Sequence, residues 1–323
     1  MSKESIKLVY SSYRPLYSYP EVAFQKWART IMKETKGRVQ IEIVGNEQLG
    51  KAVNHMDMLL NGVCDIAAPM PTYTPGRFPL HDIQGIPMLM PSAEVGGRVY
   101  NELFNKYCLD TEMKDIKLLF VFTLAPIQFT STKPIKTLED MKGLKFNVSA
   151  GGLQPKMLEA IGCQCIDLPG ATKKYGYIKE GKIDVTPFNW LGILEFKLNE
   201  VTKYRTAVNY QTKCYLGAMN LKKWNSLPPD IQKVFNKYIG PDISAEVGKG
   251  FDAEQIAART ELEAYDQKVG NPPIYDMPQS ERMRFIKAFE PITLQWVREL
   301  EAKGLPGKQY YADCLNLVEK YSK

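Results

Sequence analysis

The chain has 323 residues, of which 44% are hydrophobic and 24% charged, and 42 basic against 36 acidic side chains leave a formal charge of +6. That length allows two ordinary domains, each with its own core, and the composition excludes disordered and fibrous classes. No stretch approaches the ~20 apolar residues of a membrane helix, and the basic residues lie in scattered pairs such as Lys173-Lys174 and Lys222-Lys223, not in the patch that marks a nucleic-acid binder.

Lys7 to Tyr10 reads as a first strand. Pro20 to Lys36 reads as a helix: Phe24, Trp27, Ala28 and Ile31 share one face, Pro20 suits the first turn and Gly37 the stop. Val39, Ile41 and Ile43 alternate with polar residues as on a half-buried strand. A helix through Val53, Met56 and Leu60 stops at Gly62 and leads into a strand, Ile66 to Ala68. The middle of the chain repeats this order. Leu144, Phe146 and Val148 alternate on a strand, with Lys145 and Asn147 facing the other way; Gln154 to Ile161 is a helix ended by Gly162; Cys163 to Leu168 is a strand; a helix then runs to Gly181 and a strand begins near Ile183.

Gly62-Val63-Cys64-Asp65 and Gly181-Lys182-Ile183-Asp184 occupy the same place in the two halves, where a helix stops at Gly and G-x-x-D enters a strand. This pattern favours two similar strand–helix–strand lobes over one large sheet. After Pro228 the chain is mainly helical, through Ile231 to Tyr238, Phe251 to Val269 and Ser280 to Lys303, the last with a bend expected at Pro291. The fold class is therefore α/β, with two sheets each flanked by helices.

Motifs for common chemistry are absent. There is no phosphate loop, no G-x-G-x-x-G after a strand, no G-x-S-x-G and no H-E-x-x-H. Gly151-Gly152 lies in a strand-to-helix turn, which by itself is weak evidence for phosphate. His55, in an amphipathic helix, and His81, in a Pro-rich connection, read as surface residues. Glu139 and Asp140 read as acids at a helix N-terminus, where they favour the dipole. The six cysteines contain no C-x-x-C, and with two histidines they make no zinc set of usual spacing. They read as free, mostly buried thiols, with Cys163 and Cys165 side by side on one strand. No catalytic residue, metal site or cofactor is expected. Met1-Ser2-Lys3-Glu4 runs straight into strand-like residues without an apolar signal core. This suits either a cytoplasmic protein or a mature secreted form given a new start codon.

Several segments together resemble the solute-binding component of tripartite ATP-independent periplasmic (TRAP) transporters, of the dicarboxylate-binding type. They are Gly37-Arg38-Val39-Gln40-Ile41-Glu42-Ile43, Asn46-Glu47-Gln48-Leu49-Gly50, Leu60 to Asp65, Lys133-Pro134-Ile135-Lys136-Thr137-Leu138-Glu139-Asp140-Met141-Lys142-Gly143-Leu144-Lys145, Met157 to Gly162, and Leu227-Pro228-Pro229-Asp230-Ile231-Gln232-Lys233. The resemblance implies a two-lobed binding-protein fold with an interlobe ligand cleft, a hinge and a long bridging C-terminal helix. Its lobes are expected as residues 1–125 with 211–252, and 126–210 with 253–323. It also implies a periplasmic receptor, its signal peptide removed, that binds a small organic acid. The receptor acts as a monomer, without nucleic acid, and hands the ligand to TRAP permease subunits.

The same resemblance places a carboxylate-clamping arginine where this chain has Asn147. An arginine offers a charged fork; an asparagine offers one neutral donor end and one acceptor end. So either the ligand is not a simple carboxylate or another cation holds it, with Lys133, Lys173, Lys174, Arg77 and Arg14 as candidates. Met70 falls where some relatives carry a carboxylate and Ile127 where some carry a second arginine, and Thr186-Pro187-Phe188-Asn189-Trp190 replaces a Q-E-N-P segment. Expected ligand contacts are Asn147, Ser12, Tyr13, Tyr17, Met70, Tyr73, Gln128, Ser149, Phe188, Asn189, Trp190, Tyr210 and Tyr215, an apolar, aromatic site with few polar groups. A neutral or zwitterionic solute and a ligand-sensing module are the alternative readings; an enzyme on this fold lacks a recognisable nucleophile–base pair.

Overall fold

The computed structural model describes residues 5–74, 76–148, 152–168 and 171–323. Ser149, one of the expected ligand contacts, lies outside the described residues. The first half runs β1 (Ile6–Ser11), α1 (Tyr19–Glu34), β2 (Val39–Val44), α2 (His55–Leu60), β3 (Ile66–Ala67), α3 (Ala93–Tyr107) and β4 (Ile116–Thr123). The second runs β5 (Gln128–Ser131), β6 (Lys145–Val148), α4 (Leu153–Ala160), β7 (Gln164–Asp167), α5 (Lys174–Lys179), β8 (Val185–Phe188), α6 (Trp190–Glu195) and β9 (Tyr204–Ala207). The chain ends with β10 (Cys214–Asn220), α7 (Leu221–Ser226), α8 (Pro229–Phe235), α9 (Pro241–Val269), β11 (Tyr275–Asp276), α10 (Gln279–Ala302) and α11 (Gly307–Tyr321).

Two sheets result, ordered β2-β1-β3-β10-β4 and β7-β6-β8-β5-β9-β11. They share one plan. β1 is parallel to β2 and β3, as β6 is to β7 and β8, and in each sheet the next strand, β10 or β5, is antiparallel. Each antiparallel strand follows a crossing from the other sheet, β5 after residues 124–127 and β10 after residues 208–213. The two crossings pair with one another: Ile127 N–H donates to the Gln211 carbonyl, Tyr210 N–H to that of Ile127 and Leu124 N–H to that of Lys213, all at 2.8 Å.

The repeated G-x-x-D has the same job in both halves. Gly62 and Gly181 take φ of +73° and +68°, which a residue with a Cβ resists. The Asp65 carboxylate then accepts Val9 N–H at 2.8 Å, and its own N–H reaches the Val9 carbonyl at 2.9 Å. Asp184 accepts Lys145 N–H at 3.0 Å and reaches the Lys145 carbonyl at 2.8 Å. Each aspartate thus fastens the strand it enters to the neighbouring parallel strand, and each meets a lysine at 3.2 Å, Lys223 for Asp65 and Lys133 for Asp184.

α9 joins the two halves. Its N-terminal part packs on α3 and β4, and further along it packs on α6. Asp252 caps α3, accepting Ala93 N–H and Glu94 N–H at 2.9 Å each, and the buried Asp266 pairs with Arg205 of β9. α3 and α9 approach so closely because Gly97 and Gly248 face them: a Cβ on Gly248 would stand 2.4 Å from the Ala93 carbonyl oxygen, and one on Gly97 2.6 Å from that of Ser244.

Several expectations are corrected. Both histidines are buried, not on the surface. His55 faces Ser11 Oγ at 3.4 Å, and His81 lies between Gln84 and Cys214. Asn147, on the face opposite Phe146, is buried with its amide against the Ile166 and Leu168 carbonyls. α3 and α11, which pack on each other, give no strong signal in the sequence reading, whereas α10, read as one element from Ser280 to Lys303, is one helix with Pro291 inside it. All six cysteines are free; five are buried and Cys165 is partly so.

The α3–α9 crossing gives a stability prediction. Gly248→Ala puts a methyl against backbone, which cannot step aside, and overpacking of this kind costs about 1–3 kcal/mol. The denaturant midpoint should fall accordingly, whereas Lys249→Ala, on the exposed side of the same helix, should leave it within about 0.5 kcal/mol. Equal midpoints for Gly248→Ala and the wild type refute the close crossing.

Candidate functional site

Open α/β sheets collect ligands beyond the carboxyl ends of their parallel strands. In the first sheet these ends are the turn after β1, with Ser12, Tyr13 and Arg14, and the turn after β3, with Met70 and Tyr73. Ser12 Oγ accepts Arg14 N–H at 3.0 Å and shapes the turn. The Arg14 guanidinium then lies over Tyr215 of β10 at 4.0 Å, Tyr13 at 4.5 Å and Phe122 of β4 at 5.5 Å. Its charge faces Glu21 at 3.4 Å, and one N–H donates to the Tyr13 hydroxyl at 2.7 Å. Tyr215 stacks on Phe122, centroids 4.9 Å apart and planes within 7°, while Tyr13 meets Tyr73 edge-on at 6.2 Å. The result is an aromatic wall with a cation as its strut. Met70 is partly buried against the same cluster.

Lys213, two residues before Tyr215, points to the same side of its strand. It carries this wall to the second sheet. Burial lowers the Lys213 ammonium below its ordinary range. Burial likewise pushes Lys174, at the start of α5, down to about 8, and the charge of Lys213 adds to the push. Lys174 Nζ stands 4.8 Å over the Phe188 ring. Among the described residues neither lysine has a carboxylate partner. The other cations nominated from sequence are placed differently: Lys133 pairs with Asp184, Arg77 with Asp57 and Arg14 with Glu21, while Lys173 is exposed.

Asn147, Thr186 and Phe188 lie on one face of the second sheet, since Phe146 and Val185 pair in register with their side chains in the core on the other face. Both hydrogens of the Asn147 amide are committed, to the Ile166 carbonyl at 3.3 Å and that of Leu168 at 3.2 Å. Its Oδ1 is buried without a partner among the described residues, and so is Thr186 Oγ1.

The remaining nominated residues are committed elsewhere. Tyr17 is 86% exposed ahead of α1. Tyr210 is fully buried against Phe129, Phe146 and Phe289, and Trp190 packs with Ile193, Leu198 and Leu262. Asn189 caps α6 through Gly192 N–H at 2.8 Å. Gln128 belongs to the crossings: its Oε1 accepts Val208 N–H and Asn209 N–H, and its amide donates to the Pro126 carbonyl and Asn209 Oδ1. Ile127 is buried beside it. The sequence reading missed Lys213, Thr186 and Phe122. Lys213 had a signal, its two-residue spacing from Tyr215; Phe122 had none, because pairing across strands chose it.

A cysteine–histidine contact exists, but it is not an activated one. Cys214 Sγ is 2.9 Å from His81 Nε2, and Gln84 holds His81 Nδ1 at 2.7 Å. All three are buried. Burial drives His81 down to about 3 and the Cys214 thiol well up, the opposite of a thiolate–imidazolium pair.

Residues 13–299 match the bacterial extracellular solute-binding proteins, family 7. The C4-dicarboxylate-binding periplasmic protein DctP of Vibrio cholerae is 22% identical over 280 residues, 85% of this chain and 81% of that one. Among solved structures, a TRAP periplasmic solute-binding protein of Desulfovibrio salexigens superposes with a TM-score of 0.87 at 25% identity, covering 98% of this chain and 97% of that one. A TRAP solute-binding protein of Rhodoferax ferrireducens, in complex with copurified benzoate, gives 0.86 at 28% identity, covering 98% and 99%. A marine metagenome TRAP protein specific for aromatic acid ligands gives 0.86 at 27% identity, covering 99% and 100%. The expected kinship with TRAP solute-binding proteins therefore holds in family and in fold, and this chain belongs to the DctP family of bacterial extracellular solute-binding proteins, family 7.

Proposed function

We propose that this chain is the periplasmic receptor of a TRAP transporter for a small organic acid with an aromatic body. It binds the acid between its two lobes and delivers it, as a monomer and chemically unchanged, to membrane permease subunits. The carrying observation is the pair Lys174 and Lys213, two partly buried ammonium groups without a carboxylate among the described residues, Lys174 over the Phe188 ring. Partly desolvated charge of one sign without a partner is costly, and an anion between the two lysines offsets that cost. Tyr13, Tyr73 and Phe188, none of them fully buried, offer faces to a flat ring. The benzoate and aromatic-acid complexes of the relatives at 26–28% identity support the same ligand class.

The lobes we take as residues 1–125 with 211–252 and 126–210 with 253–323, a division supported by the sheet each strand joins. α11, in the second of these by sequence, docks on α3 of the first. The absence of turnover is supported by the state of the Cys214–His81 contact. A neutral solute is disfavoured by the two lysines.

Calorimetry with benzoate, 3-hydroxybenzoate and mandelate tests the reading, together with native mass spectrometry for a copurified acid. Lys174→Gln and Lys213→Gln should each weaken the bound acid about tenfold or more, since a hydrogen bond to a charged group contributes about 1.5–3 kcal/mol. Unchanged affinity in both variants removes the anion site.

The low proton affinity of Lys174 sets a pH dependence. Lys174 is protonated below about 8 and loses its charge above it, while a carboxylate ligand stays ionised throughout. Affinity should be flat from pH 6 to 7 and fall as pH rises through 8 to 9.5 at constant ionic strength, and Lys174→Gln should flatten the profile. A wild-type profile that does not fall above pH 8 rules the lysine out as an anion ligand.

Closure on the ligand should appear in small-angle scattering as a smaller radius of gyration at saturating acid. Chromatography of the recovered acid should show one unaltered compound. An unchanged radius, or a chemically altered acid that depends on intact protein, contradicts the receptor reading.

A further inference from the structure

We infer that Asn147 and Thr186 form a neutral subsite for a hydroxyl group on the ligand, at the far end from its carboxylate, so that this receptor selects hydroxylated acids over their deoxy analogues; this rests on the organic-acid reading above. The argument starts from the direction of the Asn147 amide. Its two hydrogens are spent on the Ile166 and Leu168 carbonyls. The end left over is therefore an acceptor, Oδ1, and it is buried and unpaired among the described residues. A carboxylate brought to this point would set lone pairs against lone pairs. The position at which the family resemblance implies a carboxylate clamp is thus turned, in this chain, into one that needs a donor.

Thr186 stands beside it. Phe146 and Val185 are in register, so the next residues on these parallel strands, Asn147 and Thr186, are neighbours on the same face. Thr186 Oγ1 is buried and also unpaired among the described residues. The same face continues into Thr130, opposite Thr186, and Arg205, opposite Thr130. There Thr130 Oγ1 meets Thr202 Oγ1 at 2.7 Å and Arg205 pairs with Asp266, so that only Arg205 Nε and Asp266 Oδ2 are left over within an ion pair. At the Asn147–Thr186 end the two unpaired atoms have no such pair around them. A buried polar atom without a partner costs free energy unless something bound supplies one. A ligand hydroxyl fits both atoms at once, donating to Asn147 Oδ1 and accepting from the Thr186 hydroxyl.

The anion site lies further along the same face. Phe188 is two residues beyond Thr186 on the same face, about 6.5 Å along the strand, and Lys174 stands over Phe188.

Calorimetry with wild type, Asn147→Leu, Thr186→Val and Lys213→Gln decides the matter, using benzoate against 3- and 4-hydroxybenzoate, and propionate against lactate. The wild type should bind one hydroxybenzoate at least tenfold more tightly than benzoate. Asn147→Leu should cut that preference below threefold while leaving benzoate affinity within threefold, and Thr186→Val, nearly the same shape, should reduce the preference in part. Lys213→Gln should weaken both acids by one factor and keep the preference. Melting temperatures of all variants check the fold, and Thr186→Val carries the test if Asn147→Leu is unstable. Equal binding of benzoate and both hydroxybenzoates, or a variant at 147 that weakens every acid alike, overturns the subsite while leaving the receptor reading intact. If no aromatic acid binds but lactate is preferred to propionate in an Asn147-dependent way, the aromatic reading fails and the subsite stands. If none of the five acids binds, both fail.

Discussion

Everything in the molecule turns on the pairing of the two chain crossings. Residues 124–127 and 208–213 run side by side, and the Gln128 amide closes them into one unit by bonding to both. Asn209 accepts a left-handed φ of +46° to take its place in this clip, a conformation that asparagine tolerates better than most residues. With four hydrogen bonds engaged, Gln128 has nothing left for a ligand. Its work is to keep the two crossings, Lys213 among them, in one register. In the receptor proposed above, a rotation between lobes would fall on these few backbone positions and on α9.

The way the molecule handles buried charge separates structure from site. Arg205 and Asp266 are both out of water, and each is shifted in the direction that opposes its charge, chiefly by burial. Paired with one another and with the Asn199 carbonyl and the Asn271 amide, they still hold β9 to α9. Arg14 is also buried, but its neighbours are rings and one carboxylate at 3.4 Å, so it acts as a strut for the aromatic wall. Lys174 and Lys213 have neither arrangement. In the receptor proposed above, an anion between these two like charges would offset their repulsion and so couple ligand binding to closure.

Much of this was legible in the sequence. The alternation of Val39, Ile41 and Ile43, the face of Phe24, Trp27 and Ile31, and the glycine stops at Gly37, Gly62, Gly162 and Gly181 are local physics, and the structure follows them. The repeated G-x-x-D was visible as a spacing, and its aspartates prove to fasten equivalent strands because a carboxylate one residue ahead of a buried strand has a free N–H beside it to accept. The family motifs supplied the two-lobed plan.

Other features were decided only by tertiary structure. Tyr13, Tyr210 and Tyr215 look alike in sequence, yet Tyr210 packs against Phe129, Phe146 and Phe289 while Tyr13 and Tyr215 flank Arg14, because the crossing and β10 hand the two neighbouring rings to different clusters. Trp190 is buried by α9, a segment fifty residues further on. Asn147 is present in the sequence, but the direction of its amide depends on carbonyls of a neighbouring strand. Lys174 and Lys213 are ordinary surface cations to any local reading. Only the assembled fold takes them partly out of water and leaves them without a carboxylate among the described residues, since desolvation and charge proximity are not properties of spacing along the chain.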